Sequence, residues 1–325
     1  PMFLGGLELA IAAPVSTFVW GTVLGGAFLA FLAAPMGIIA TQTRLSSYML
    51  ARAAFGHQAS KLLNFAFALS LLGWFGVNIE LFGDAMLRLA SEMGYDTIPL
   101  FALEAVGGVI MTTLTFMGLR AINGLSLLIT PLLALVTVMM LVTVLEVGSF
   151  QTILSQGPTS GLSFGDVMSA TVGTVAVGAV IMPDTCRFIK GWAGVVGVAV
   201  ATYMISWPAV TLVAGLAGIA SGQTDLLPLM LSFGLGLGAF AIVFGGSTTL
   251  NALNLYSTAL SLGTVLPKAP RAWVVIIGGV GGTVFAFFNI LESFIPFLIY
   301  LTVIFIPVGA VILADVGTNL FRFVS

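Results

Sequence analysis

The chain has 325 residues, of which 59% are hydrophobic and only 7% are charged. Soluble domains carry about 25% charged residues, so this composition excludes an ordinary soluble protein and predicts an α-helical membrane protein with many spans. The formal net charge of −2, without a basic cluster, does not indicate a nucleic-acid partner. The single cysteine, Cys186, excludes an internal disulfide, and together with the only histidine, His57, it predicts no metal site.

Ten hydrophobic segments are predicted, at roughly residues 1–14, 16–41, 62–90, 99–119, 124–147, 166–187, 190–219, 235–262, 272–290 and 294–316. The first segment is too short to cross the ~30 Å hydrocarbon core, which takes about 20 helical residues. The chain also opens at Pro1, without an initiator methionine or a cleavable signal. We therefore expect the first segment to be the outer half of a helix whose inner half is missing.

The positive charges predict the orientation of the chain. Nine of the ten Lys and Arg residues lie in alternate loops or just beyond the last segment, and Arg88 is the exception. The nine are Arg44, Arg52, Lys61, Arg120, Arg187, Lys190, Lys268, Arg271 and Arg322. By the positive-inside rule these loops face the cytoplasm, which predicts an integral protein of the plasma membrane, the inner membrane of a bacterium.

The third segment carries Trp74 and, one helical turn later, Asn78 near its middle. Positions i and i+4 share one helix face, so the indole and the carboxamide are predicted to point the same way. Lipid tails offer an amide no hydrogen-bond partner, and an unpaired amide in hydrocarbon costs several kcal/mol. This face is therefore predicted to look into protein or into a water-filled cavity.

The sixth segment contains Gly173, Thr174, Val175 and Gly178 near its centre, followed by Pro183. Glycines and a proline loosen a helix and free backbone polar groups, which is tolerated only beside protein or a cavity. The alternative is close helix packing through small residues. Either interpretation fits this segment by itself.

The eighth segment carries a polar stripe. At 100° per residue, five polar side chains fall within an arc of roughly 80°, and Thr248 and Thr249 widen the polar face at the centre. The five are Ser247, Asn251, Asn254, Thr258 and Ser261. Such a stripe can hold helices together through hydrogen bonds, or it can bind a polar solute, with hydroxyl oxygens suited to a hard cation.

Glu80 lies in the outer half of the third segment, about 200° around the helix from Asn78. It is predicted to face away from the Trp74 side. A carboxylate at this depth is either a proton-coupling group or a partner for another helix, and the sequence leaves both roles open.

Four stretches of the sequence resemble the first nucleobase–cation symporter family, and most closely its cytosine permeases. They are Gly73-Trp74-Phe75-Gly76-Val77, Asp184-Thr185-Cys186-Arg187-Phe188, Asn254-Leu255-Tyr256-Ser257 and Ile306-Pro307-Val308-Gly309-Ala310-Val311-Ile312-Leu313-Ala314-Asp315. They follow one another in the family's order and spacing along the whole chain. Each motif is weak alone, but four in register are a specific signal.

The resemblance implies the LeuT-type fold, in which five helices repeat in inverted topology and helices 1 and 6 are broken around the substrate. The first repeat would be residues 1–147 and the second residues 148–325, within one membrane domain. The family usually has twelve helices, so helices 11 and 12 would be lacking here.

The resemblance also implies a substrate site. Trp74 would stack on a flat heterocycle, with Asn78 and Asn254 at its edge and Asn251 close by. The backbone at Gly173 and Thr174 would line the substrate. Many members carry a second aromatic at the position of Val175, and Asn78 replaces the Gln of hydantoin and allantoin transporters and the Gly common in cytosine permeases.

For the coupling ion, sodium-coupled members of the family use carbonyl and hydroxyl oxygens of helix 8. In this sequence they correspond to Gly245, Thr248 and Thr249. No organic cofactor is implied, and the sequence does not decide between Na+ and H+ or give an oligomeric state.

The sequence thus predicts a secondary transporter for a planar nitrogen heterocycle, most simply a nucleobase such as cytosine or a purine, working by alternating access. A hydantoin, allantoin or thiamine-precursor pyrimidine is the alternative substrate in the same fold. A channel is the alternative of another class, although no filter-like carbonyl loop or ring of charges is visible. An enzyme is not expected, because the chain shows no histidine cluster, nucleophile–base pair or phosphate loop.

Overall fold

The computed structural model describes residues 2–92, 94, 95, 97–147, 151, 153, 155, 157–223, 226–236, 238, 241–288 and 290–324. Within these residues the secondary structure is helical and contains no β-strand. Six of the described helices are long and apolar enough to cross a membrane, and two shorter apolar helices accompany them. Residues 1, 237, 239, 240 and 289, which fall inside predicted segments, lie outside the described residues.

Each of the ten predicted segments coincides with a helix or a group of helices, which we number α1 to α10. They are α1 (Met2–Ala12), α2 (Val15–Thr43), α3 (Ser47–Glu92), α4 (Leu100–Met117), α5 (Leu119–Val147), α6 (Phe164–Gly173, Ala176–Val180 and Pro183–Cys186), α7 (Trp192–Ser221), α8 (a π-helical turn Ala241–Gly246 and the helix Ser247–Val265), α9 (Arg271–Ala286) and α10 (Phe294–Val324). A short helix, Leu226–Ser232, precedes α8, and a 3₁₀ turn, Ile290–Ser293, precedes α10.

Helix α3 begins fifteen residues before the predicted segment, and α5 begins five residues before. Hydropathy marks only the part of a helix that lies in hydrocarbon, whereas Arg52, Lys61 and Arg120 extend these helices beyond it. Within α3, Gly56 breaks the helix with φ 76° and ψ 180°, a conformation that L side chains rarely adopt. Ser47–Glu92 is therefore two helices joined at a kink.

Helix α6 is broken, as the family resemblance implied. A capping box between Ser163 and Asp166 starts its first piece, which ends at Gly173. Val175 then leaves the helical region with φ −138° and ψ 16° before the chain turns helical again at Ala176. A Cβ atom at Gly173 would collide with the carbonyl oxygen of Leu298, so the break lies where α10 packs against bare backbone.

The chain divides into two compact units. The first comprises Pro1–Leu63, Leu141–Leu226 and Ile295–Ser325, and so contains α1, α2, α6, α7 and nearly all of α10. The second comprises Asn64–Met140 and Leu227–Phe294, and so contains most of α3 together with α4, α8 and α9. Each unit combines helices from both predicted repeats, and the repeat boundary at residues 147 and 148 stays a prediction.

In the second unit, α4 and α9 make a reciprocal contact. Each helix carries a glycine followed four residues later by a threonine, Gly108 and Thr112 on α4 and Gly279 and Thr283 on α9. A Cβ atom at Gly108 would collide with Thr283 Oγ1, and one at Gly279 would collide with Thr112 Oγ1. The helices thus cross in opposite directions about a local twofold, which is the relation that an inverted repeat gives to its fourth helices.

We expect Gly108→Ala and Gly279→Ala each to lower the free energy of unfolding by about 1–3 kcal/mol, because the added methyl group overpacks a helix contact. The matched control is Gly281→Ala on α9, where a Cβ atom would meet nothing within 4 Å. That control should be neutral or slightly stabilising, since alanine favours a helix more than glycine does. Thermal unfolding of the purified variants in detergent measures the difference, and equal effects at all three positions would contradict this prediction.

Candidate functional site

Trp74 lies inside the second unit, with only 5% of its surface exposed. Its ring meets the ring of Phe294, the first residue of α10, with centroids 5.9 Å apart and planes at 83°. This edge-to-face geometry is a favourable arrangement of two aromatic rings and restrains the indole. No local pattern in the sequence marks Phe294 as the partner of Trp74, because the contact joins two distant segments of the chain.

Asn78 is completely buried and uses both of its amide hydrogens within the protein. Its Nδ2 donates to the backbone oxygen of Trp74 at 2.7 Å and to Oδ1 of Asn251 at 3.0 Å. Its Oδ1 has no hydrogen-bond partner among the described residues. An unmet buried acceptor costs about 1–3 kcal/mol, so this oxygen is a candidate contact for a ligand.

Asn251 on α8 is also completely buried, and it joins three helices. Its Nδ2 donates to the backbone oxygen of Phe75 on α3 at 2.8 Å and lies 3.1 Å from the sulfur of Met111 on α4. Its Oδ1 accepts from Asn78 at 3.0 Å and from Nδ2 of Asn254 at 3.4 Å. Both ends of this carboxamide are therefore engaged by protein.

The other members of the polar stripe on α8 are buried too, namely Ser247, Asn254, Thr258 and Ser261. The stripe thus faces protein, as its arc predicted. Thr258 Oγ1 has no partner among the described residues, whereas Ser261 donates to the backbone oxygen of Ser257 at 3.0 Å. The polar stripe of α8 therefore fits both interpretations, hydrogen bonding between helices and binding of a polar solute. Asn251 is an example of hydrogen bonding between helices.

Gly173, Thr174 and Val175 form the break of α6 in the first unit. Thr174 is buried and donates to the backbone oxygen of Thr171, while Val175 is half-buried. A Cβ atom on Gly5 of α1 would lie 3.4 Å from the methyl carbon of Thr174, which is ordinary contact. That these three residues line the substrate stays a prediction.

The predicted cation ligands lie where α8 changes from a π-helical turn to an α-helix. Gly245 is in the π turn, and its carbonyl oxygen accepts from Thr249 Oγ1 at 2.7 Å. Thr248 is buried, and its Oγ1 has no partner among the described residues. Two hydroxyls and a carbonyl are the hard oxygen donors that an alkali cation accepts, and π turns often occur at functional sites.

Glu80 is buried on α3, with 6% of its surface exposed. It lies two residues beyond Asn78 on the same helix, within the second unit. Its role in proton coupling stays a prediction.

Comparison with known proteins gives consistent matches. The profile of a family described as permease for cytosine/purines, uracil, thiamine, allantoin matches residues 5–319. The cytosine permease of Escherichia coli O157:H7 is 27% identical over 324 residues, which cover 99% of this chain and 75% of that protein.

Among solved structures, Mhp1 in its inward-facing conformation has a TM-score of 0.80 at 20% identity, covering 97% of this chain and 72% of that one. A second structure of Mhp1, described as a nucleobase-cation-symport-1 family transporter, is in a closed conformation with bromovinylhydantoin bound. It has a TM-score of 0.75 at 19% identity and covers 92% of this chain and 71% of that one. A Na+-coupled sialic acid symporter in a substrate-bound outward-open state has a TM-score of 0.67 at 12% identity, covering 97% of this chain and 75% of that one. The fold is therefore that of the LeuT-type transporters, as predicted.

Proposed function

Because the chain belongs to the family of permeases for cytosine/purines, uracil, thiamine and allantoin, we propose that it is a cation-coupled symporter of a planar nitrogen heterocycle. It is an integral membrane protein and a transporter, not an enzyme. A nucleobase such as cytosine is the favoured substrate, moved by alternating access between the two sides of the membrane. The loops that carry Lys and Arg face the cytoplasm. In a bacterium the membrane that holds the protein is the inner membrane.

The observation that carries this proposal is the pairing of Trp74 with the unmet oxygen of Asn78, one helical turn apart and both buried in α3. An indole offers a flat apolar face to a heteroaromatic ring, and stacking of a base on an aromatic contributes roughly 1–3 kcal/mol. The Asn78 carboxamide meets the edge of the same ring, with Asn254 on α8 as a second polar contact. The backbone at Gly173 and Thr174, beside Val175, completes the proposed set.

Hydantoin, allantoin or a thiamine-precursor pyrimidine is the second candidate substrate. The observation that supports it is the buried oxygen of Asn78 without a partner among the described residues, because it can accept from a lactam N–H of these rings. The solved structure of Mhp1 with bromovinylhydantoin bound has the same fold.

Coupling to Na+ is proposed through Gly245, Thr248 and Thr249. The buried Thr248 hydroxyl without a partner and the Gly245 carbonyl fit an oxygen-ligated cation. A cation that these oxygens bind more tightly in the substrate-binding state than in the other states of the transporter would favour that state. If protons replace sodium, Glu80 is the proposed carboxylate.

We expect Trp74→Ala to weaken binding of the substrate by roughly 5–150-fold, the equivalent of the ~1–3 kcal/mol of stacking. Trp74→Phe should retain part of the affinity, because it keeps an aromatic face. Binding of radiolabelled cytosine, uracil and hydantoin to purified protein measures the change. The matched control is Trp273→Ala on α9, a tryptophan in the same unit whose surface is 60% exposed.

Unchanged affinity in Trp74→Ala, or an equal loss in Trp273→Ala, would remove the indole from the site. Failure of every heterocycle in the panel to bind the wild-type protein would overturn the proposed substrate class itself.

We expect Thr248→Val to raise the Na+ concentration that half-saturates uptake by at least ~10-fold, because it removes a hard oxygen at constant shape. Thr258→Val is the matched control, since it too removes a buried α8 hydroxyl that has no partner among the described residues. Uptake into proteoliposomes at varied external Na+ measures both. The coupling would instead be assigned to protons if wild-type uptake does not depend on Na+ but depends on a pH gradient, and if Glu80→Gln abolishes it.

A further inference from the structure

We propose that Asn251 is a positioning residue that accepts the second amide hydrogen of Asn78, so that only the carboxamide oxygen of Asn78 is offered to the substrate. The site then selects heterocycles that present an N–H donor at this edge. This inference rests on the proposed function, and it narrows the substrate class.

The orientation of Asn78 is determined by its neighbour on the same helix. The backbone oxygen of Trp74 lies 2.7 Å from the terminal amide group of Asn78, and a carbonyl oxygen only accepts hydrogen bonds. The atom that faces it must therefore be Nδ2, since Oδ1 at this distance would place two acceptors in repulsive contact. This leaves the second hydrogen on Nδ2 and the whole of Oδ1 to be accounted for.

The orientation of Asn251 is determined in the same way. The backbone oxygen of Phe75 lies 2.8 Å from its amide group, so that atom must be Nδ2. Asn251 Oδ1 then faces Asn78 and accepts the second Nδ2 hydrogen at 3.0 Å. The backbone carbonyls of two consecutive α3 residues, Trp74 and Phe75, thus set the direction of these hydrogen bonds.

The consequence is that Asn78 has no donor to offer a ligand. Both Nδ2 hydrogens are used, and the remaining atom, Oδ1, is a buried acceptor without a partner among the described residues. A ligand N–H satisfies this oxygen. A ligand carbonyl or unprotonated ring nitrogen in its place leaves two acceptors facing each other, which a buried site rejects strongly.

Stacking on Trp74 does not make this distinction, because every flat heterocycle has a π face. The edge of the ligand ring that faces Asn78 Oδ1 therefore determines which heterocycles bind. Rings with a lactam N–H or an exocyclic amino group qualify, as in cytosine, uracil and hydantoin. Rings in which each N–H is methylated do not qualify, although they keep the same carbonyl groups and the same face.

The test compares ligands that differ only in their donors. Cytosine, uracil and hydantoin are each measured beside the derivative in which every N–H hydrogen is replaced by methyl and beside a derivative with methyl on carbon. The carbon-methylated compound adds bulk but keeps the donors. In the wild type we expect N-methylation to weaken binding of the tightest parent by about 10–100-fold and carbon methylation to have a much smaller effect.

The variant Asn251→Leu tests the positioning role. It removes the acceptor of one Asn78 hydrogen, which frees an N–H that can donate to an acceptor on the ligand. We expect the ratio of dissociation constants, N-methylated to parent, to fall several-fold relative to the wild type. Asn251→Ala serves the same purpose if the leucine variant is unstable.

Asn64→Leu is the matched control. Asn64 is buried on α3 and donates to Thr264 Oγ1 on α8 at 2.7 Å, so it joins the same two helices fourteen residues before Asn78. Its loss removes an α3–α8 hydrogen bond away from the site and should leave the ratio unchanged. A general loosening of the α3–α8 contact would lower the ratio in both variants.

Three outcomes overturn the inference while the proposed function stands. They are tight binding of the N-methylated ring to the wild type, an unchanged ratio in Asn251→Leu and Asn251→Ala, and an equal fall of the ratio in Asn64→Leu. In each case the parent still binds in a manner that depends on Trp74. If no parent binds, the proposed function fails first.

Discussion

Hydrocarbon supplies no hydrogen-bond partner, and this constraint determines how the second unit is built. Its central helix, α3, carries Asn78 in a fully buried position, so each polar atom of that side chain must be met by protein or by a ligand. The protein meets the two amide hydrogens through Trp74 and Asn251. The oxygen remains, and the interpretation of the site follows from that one unmet atom.

The hydrogen bonds among Trp74, Asn78 and Asn251 are held in one arrangement because the packing around them is close. Phe75 and Phe82 are two turns apart on α3, and each covers a glycine, Gly282 on α9 and Gly107 on α4. Together with Ile79 they belong to a cluster of buried apolar side chains from α3, α4, α8 and α9. A carboxamide in such surroundings has few rotamers available, so its hydrogen-bond direction is inherited from the backbone of α3.

The sequence predicts the parts of this structure that local chemistry decides. Gly173 and Pro183 mark α6 as a helix that can break, and the buried stripe of α8 follows from the spacing of its polar residues. The Trp74–Phe294 contact and the Asn78–Asn251 hydrogen bond could not be predicted from the sequence, because each joins residues more than 170 positions apart. The pattern of α8 shows that Asn251 is buried but not which helix it meets.

The crossing of α4 and α9 is symmetric. Gly108 meets Thr283 and Thr112 meets Gly279, so the contact is the same when the two helices exchange places. An interface of this kind is isologous, and one Gly-x-x-x-Thr sequence is enough to form both halves of it. Two copies of one helix that carries this sequence, placed side by side in opposite directions, would therefore form the same contact.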